Sequence, residues 1–372
     1  MAPTDGAADA RGAAEAGGAA EARGAAEVSG ERWWASLPPA GEGSSTWWTS
    51  DAFAVELREW VVDALDGLGA GGLAVLEPVH QRPWSTVWRA TTTDGDVFWA
   101  KENCPHQAFE ATLLEVLSRR APDRVVPVVA VDAARGLHLV PDHGEVLGAS
   151  VDPHDIDTWC RVVAEAMHLQ RELAGCGPEL VGAGLTPLHP LDAADCVVAR
   201  ASQLATLPEA DPRRLDAEAS LRVLSLAPRV AEWGEGLEAL GLPLALVHND
   251  LHANNVFATR SGMRSFDFGD AVLAHPLTAV FVPLNVLAHR LEASADDPRM
   301  CRVADAALEV WSDVASTAAM RAALPAAQRL GRLGRVESWL RVTATMTSAE
   351  LAEYGDAAAW WLAAVGDATP LS

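Results

Sequence analysis

The sequence predicts an α+β protein of two lobes, a small antiparallel β lobe followed by a larger and mainly helical one, and three observations carry that reading. Between residues 73 and 103 the apolar positions come in strand-length bursts around a Thr-Asp-Gly-Asp turn. Beyond about residue 146 they recur at helical spacing, and a single β-rich stretch over residues 244–270 interrupts that helical half. At 372 residues the chain exceeds one average domain, so two lobes around a cleft fit its length. The divisions drawn are a disordered tail over 1–45, an N-terminal lobe over 46–145 and a C-terminal lobe over 146–372.

Taken in order, residues 1 to about 30 form an Ala, Gly and Glu run without aromatics. It is too weakly hydrophobic to offset the entropy of ordering. A loose Ala-Ala-Glu repeat leaves a marginal helix as the alternative, which the interspersed glycines penalise. The tryptophan pairs Trp33–Trp34 and Trp47–Trp48 follow, and Ser50 with Asp51 caps a helix over 51–67 whose apolar stripe includes Phe53, Leu57, Val61 and Leu65. Strands are predicted at LAVLEPV, STVWRATT and VFWAKEN, then a helix at QAFEATLLEVLSRR. Two more short strands, VVPVVAVD and GLHLVP, complete a five-stranded lobe, and PDHGE reads as a linker. The segments 155–173, 304–315, 328–342 and 348–365 all keep a 3.6-residue period.

Fifty-one acidic residues against 28 basic ones argue against nucleic acid, whose phosphates need a basic footprint, and suit a cationic or neutral small molecule. Simple solubility is the competing reason for that charge. Cys104, Cys160, Cys176, Cys196 and Cys301 are odd in number and scattered, and read as reduced thiols. No stretch reads as a secretory leader or reaches the length of a membrane span, so the cytoplasm is the expected compartment and no membrane partner is expected. A monomer or a homodimer fits equally.

Arginine supplies 27 of the 28 basic residues, and the only lysine is Lys101, at the end of the apolar run Val-Phe-Trp-Ala. A compact ammonium where every other cation is a planar fork points to a phosphate contact. Phosphoryl transfer needs three things: a positioner for the attacking hydroxyl, ligands for magnesium, and a cation on the phosphates. In LVHNDLHANNVF an apolar strand ends at His248, and Asp250 is followed five residues later by Asn255, an HxDxxxxN pattern. Asp250 is placed to orient a hydroxyl and accept its proton, and Asn255 to ligate Mg2+. Twelve residues further on, SFDFGD supplies Asp267 at a strand end, ready to bridge a metal to the phosphates of ATP. Three of the five asparagines in the chain sit in this loop. His248 is read as a brace for the loop. Lys101 should pair with Glu110 on the following helix, with Glu115 as the alternative. The turn HQRPWSTV lacks a GxGxxG, and Ser85 and Thr86 are the groups there able to meet phosphate; a plain hairpin turn is the other reading.

These residues, in this order, resemble the aminoglycoside phosphotransferase and choline kinase superfamily, relatives of protein kinases that phosphorylate small molecules. The resemblance covers about residues 70 to 372. It implies a protein-kinase-like bilobal fold, with the nucleotide in the N-terminal lobe and the acceptor pocket in the helical one. It also implies Asp250 as catalytic residue, Asn255 and Asp267 as magnesium ligands and Lys101 on the phosphates of ATP. Asn249 stands where many antibiotic kinases carry glycine. The expected acceptor is a hydroxylated, aminated molecule such as an aminoglycoside, with a metabolic kinase of glucosamine, choline or homoserine type as the sibling reading and a silent nucleotide-binding protein as the alternative of another class. Asp270, Glu337 and Trp339 are the expected acceptor contacts, since carboxylates and indole faces suit ammonium groups.

Overall fold

The computed structural model describes residues 32–41, 43–152, 154–259, 262–294 and 297–371, so residues 1–31 of the tail expected over 1–45 lie outside them. The helix Asp51–Leu68 begins where Ser50 Oγ accepts a hydrogen bond from the backbone N–H of Phe53, and ends on Gly69 in the left-handed region. Phe53, Leu57, Val61 and Leu65, one turn apart, are its fully buried residues. At about 1.5–3 kcal/mol for each large apolar side chain taken out of water, this row is what fastens the helix to the sheet.

The first lobe is a five-stranded antiparallel sheet in the order β1-β2-β3-β5-β4, with β1 Leu73–Arg82, β2 Ser85–Thr92, β3 Val97–Asn103, β4 Ala130–Asp132 and β5 Leu137–Pro141. The edge strand β1 holds Pro78, which central strands do not tolerate, and its register shifts beside it. Lys101 sits in the middle strand, opposite Val87 on β2 and His138 on β5. Helix Phe109–Arg120 follows β3, and its buried Leu113, Leu114 and Leu117 pack with Leu169, Leu246 and Phe268 of the second lobe. The sheet's own core, with Trp48, Phe53 and Leu139, also takes in Val342 and Met346 from near the C-terminus. Residues of the two lobes therefore share two apolar clusters.

The second lobe is mainly helical, around a core that includes Trp159, Leu284, Trp311 and Leu340. After the two-residue strand β6 (Pro187–Leu188), its irregular insert is a short strand β7 (Ala245–Val247), a loop, the hairpin of β8 (Val256–Thr259) and β9 (Gly262–Ser265), and β10 (Val272–Ala274), which pairs antiparallel with β7 and parallel with β6. The long helix Thr317–Thr343 runs past this insert. Among the described residues no helix is long and apolar enough to cross a membrane.

Residues 32–41, assigned to the tail in the sequence reading, lie against the helical lobe. Trp34 is buried, Gln203 Nε2 donates to the carbonyls of Trp34 and Ala35 (2.9 Å each), and Arg200 Nη1 donates to Ser36 O at 2.8 Å. The aromatic pair gives this stretch the buriable area that the Ala/Gly run before it lacks.

Candidate active site

Lys101 Nζ donates to Glu110 Oε2 and to Asp267 Oδ1, both at 2.6 Å. Glu110 is completely buried and does more than hold the lysine. Its Oε2 also accepts from Asn103 Nδ2 at 2.6 Å, and its Oε1 accepts from the backbone N–H of Phe268 at 2.7 Å. One carboxylate thus ties β3, the following helix and the segment carrying Asp267 into a single unit. Burial alone would push the Glu110 carboxyl up, but the Lys101 charge overrides it and holds the group at about 2. For Lys101, burial works against the charged form and the Asp267 and Glu110 carboxylates outweigh it, so the ammonium is held above its ordinary range. Glu115, the alternative partner, faces solvent.

The loop after β7 presents Asp250 and Asn255. Asn255 Nδ2 donates to Asp250 O at 2.9 Å, which folds the loop back on itself. Asp250 is flanked by the Arg335 guanidinium, Nη1 at 3.2 Å from Oδ1, and by the His252 imidazole, Nε2 at 3.4 Å from Oδ2. Burial would raise its carboxyl, but the hydrogen bond from His252 and the Arg335 charge hold it at about 2. His248 Nε2 makes a 2.8 Å hydrogen bond with Phe266 O, and its ring lies 4.7 Å from that of Phe268. The imidazole therefore links the two loops from behind and does not face the cleft chemistry. Asn249 and Asp267 both take positive φ, 62° and 65°. A non-glycine residue is uncommon there, and the strain is held in place by the packing around each loop.

Magnesium takes oxygen ligands, keeps several waters and is commonly held by one or two side chains plus substrate phosphates. Asn255 and Asp267 fit that pattern. The Asn255 amide nitrogen is engaged by the loop, so its orientation is set and Oδ1 has no protein donor among the described residues. The Asp267 side chain is 46% exposed to the cleft. Among the described residues no group of three or more His, Cys, Asp or Glu forms a protein-only metal cage.

Other expected contacts fall elsewhere. Ser85 and Thr86 belong to β2, because the hairpin turns on Pro83 and Trp84 alone; both are buried, and Thr86 Oγ1 accepts from Trp88 Nε1 at 3.0 Å. They stand at the start of the strand, directly after a plain two-residue hairpin turn. Both Glu337 oxygens are taken by Arg200, at 2.7 Å each, in a buried pair. The Trp339 ring stacks on Tyr354 (6.4 Å) and meets Trp84 edge-on (5.8 Å), where the β1–β2 turn touches the second lobe. Asp270 does lie beside Asp250, but it already accepts from Gln107 Nε2 (2.9 Å), Arg335 Nη1 (2.8 Å) and Ser338 Oγ.

Arg335, Gln107 and Ser338 were not singled out from the sequence. The signal available was the glycine pair Gly331 and Gly334 in the long helix, three residues apart on one face and marking a close approach. The Gly331 face meets Phe281 and the Gly334 face meets Asn249, which sets Arg335 against Asp250.

Three solved structures share this architecture. An ethanolamine kinase from Plasmodium vivax superposes with a TM-score of 0.57 at 10% identity, over 79% of this chain and 82% of that one. A choline/ethanolamine kinase family protein from Mesorhizobium loti gives 0.54 at 16% identity, over 86% and 96%. A macrolide 2'-phosphotransferase from Brachybacterium faecium gives 0.52 at 14% identity, over 82% and 98%. Identities this low establish the protein-kinase-like bilobal fold. No curated protein sequence matches the chain. The family model described as "Phosphotransferase enzyme family" matches residues 81–299, more than half of the sequence and all of the site from Lys101 to Asp270. The chain belongs to the phosphotransferase enzyme family, the small-molecule kinases that transfer phosphate to a hydroxyl group.

Proposed function

We propose that this phosphotransferase moves the γ-phosphoryl of ATP, with Mg2+, to a hydroxyl of a small molecule, using Asp250 to position that hydroxyl. The observation that carries the reading is the meeting of Lys101 and Asp267, 166 residues apart in sequence, at 2.6 Å beside the Asp250–Asn255 loop. Lys101, fixed by Glu110, is the cation for the nucleotide phosphates. Asn255 and Asp267 are the metal ligands; the bound ion would neutralise charge on the transferred group. A carboxylate held at about 2 is a weak base. Asp250 therefore orients the hydroxyl and receives its proton late, once the oxygen has begun to bond to phosphorus.

The aminated acceptor expected from the sequence rested on the family resemblance and the acidic composition, with Asp270, Glu337 and Trp339 as its candidate contacts. Glu337 and Trp339 are engaged in packing, and Asp270 is neutralised by Arg335, so support for that class comes from the family and the overall acidity of the chain and not from these side chains. The test is nucleotide binding by calorimetry with Mg-ATP, followed by mass spectrometry of an acceptor panel. Asp250→Ala should keep nucleotide affinity within about threefold and lose transfer by at least about 1000-fold. Turnover that survives the substitution removes Asp250 from the role.

A further inference from the structure

Arg335 lies against Asp250, the residue that positions the acceptor hydroxyl in the reading above. A hydroxyl poised on Asp250 has the Arg335 guanidinium beside it, because Nη1 reaches Asn249 O (2.9 Å), Asp250 Oδ1 (3.2 Å) and Asp270 Oδ2 (2.8 Å) at once. All three contacts use this one nitrogen. Nε and Nη2 make no protein hydrogen bond among the described residues, and the side chain keeps 12% of its surface exposed. The head cannot easily turn away, since it projects from a helix whose Gly334 lies against Asn249. The carboxylates at this end of the cleft are meanwhile used up internally. Asp270 takes Arg335, Gln107 and Ser338, and Glu337 takes Arg200. An ammonium arriving here would meet a fixed guanidinium that already holds Asp250 and Asp270, whereas the unused N–H groups on two nitrogens of a planar fork match a carboxylate.

Resting on the phosphotransferase reading above, we infer that Arg335 is the specificity-determining residue of the acceptor site, and that it selects acceptors bearing a carboxylate close to the hydroxyl that is phosphorylated. Polycationic and amino-alcohol acceptors are disfavoured by the same group. The role differs from that of Lys101, which serves the nucleotide.

The experiment uses the full chain with Mg-ATP and matched acceptors that differ only in the polar group beside the hydroxyls: glycerate, glyceramide and 3-amino-1,2-propanediol, and likewise gluconate and glucosamine. Phosphorylated product is quantified by mass spectrometry, and nucleotide binding is measured separately. In the wild-type enzyme the carboxylate member of a set should have kcat/KM at least tenfold above the amine member. Arg335→Lys, which keeps the charge and loses the fork, should raise KM for the carboxylate acceptor about tenfold or more while KM for ATP stays within threefold. Preference for the amines, equal turnover across each set, or no turnover of any carboxylate by an enzyme that binds Mg-ATP overturns the inference. Failure to bind nucleotide at all would instead bring down the phosphotransferase assignment of the cleft. The wild-type comparison needs no variant, so poor folding of Arg335→Lys does not shield the inference.

Discussion

A Cβ on Gly334 would lie 2.6 Å from Asn249 Oδ1. The long helix can pass the loop this closely only because one residue lacks a side chain, and the loop residue it touches is the one immediately before Asp250.

Gly334→Ala is therefore expected to separate activity from stability. Alanine in a helix interior gains about 1 kcal/mol over glycine. Displacing the Asn249 amide loses its 3.1 Å hydrogen bond to Asp270 O, which is about 1 kcal/mol in the other direction. The melting temperature should shift by only a few degrees, while phosphoryl transfer falls at least about tenfold as the strained Asn249 backbone, φ 62°, gives way beside Asp250. Asn249→Gly in the same chain removes the obstructing amide and suits the positive φ, so the double variant should recover most of the loss. A single variant as active as wild type would show that the contact does not set the loop.

Much of this site could be read from the chain because its parts are local. Lys101 and Glu110 are nine residues apart, across one strand end and the first turn of the next helix, and Asp250 and Asn255 share a loop. The strands and the helix Asp51–Leu68 were legible for the same reason, through alternation, turn residues and a cap. What failed depends on distant partners. Glu337 looked like a free acid because Arg200 is 137 positions away, and nothing local marks Arg335 because Asp250 and Asp270 lie 85 and 65 positions before it. Ser85 and Thr86 begin the strand that the sequence predicts, with a two-residue hairpin at Pro83 and Trp84 before them.

The buried Lys101–Glu110 link should make stability depend on acid pH in a definite direction. Glu110 titrates at about 2 when folded, below the ordinary range of a carboxylate, so its contribution is complete above about pH 4.5 and is lost as pH falls from there towards 2. Urea midpoints measured from pH 6 to pH 3 should fall for the wild type and fall less steeply for Glu110→Gln. Parallel pH curves for the two proteins would show that Glu110 is not the group responsible. At pH 7 the Gln variant, which leaves Lys101 with Asp267 alone, should be destabilised by about 3 kcal/mol.

Asp267→Asn should act on the metal more than on the fold. Its carboxylate is 46% exposed and bonds to Lys101 across the cleft, so removing the charge costs little packing. Stability is expected to change by less than about 1 kcal/mol. The concentration of Mg2+ needed for half-maximal transfer should rise at least about tenfold, read from a magnesium titration at fixed ATP. An unchanged magnesium requirement would place the ion on other ligands.

The Arg200–Glu337 pair gives the reverse pattern, a structural role for a residue that looked functional. Both side chains are nearly inaccessible, at 2% and 6%, and the bidentate contact satisfies the two carboxylate oxygens. Arg200 Nη1 additionally holds Ser36 O and Gln203 Oε1, each at 2.8 Å, so the same guanidinium fastens residues 32–41 to the helical lobe. Arg200→Ala would leave a buried carboxylate without its counter-charge, and about 3–5 kcal/mol of stability should be lost, measured by urea unfolding. The pair replaced together, Arg200→Leu with Glu337→Leu, should recover more than half of that loss, because no uncompensated charge then remains inside. In the refolded fraction of either protein KM for the acceptor should stay within about threefold of wild type, since neither side chain faces Asp250. A rise in acceptor KM with intact stability would return Glu337 to the acceptor site.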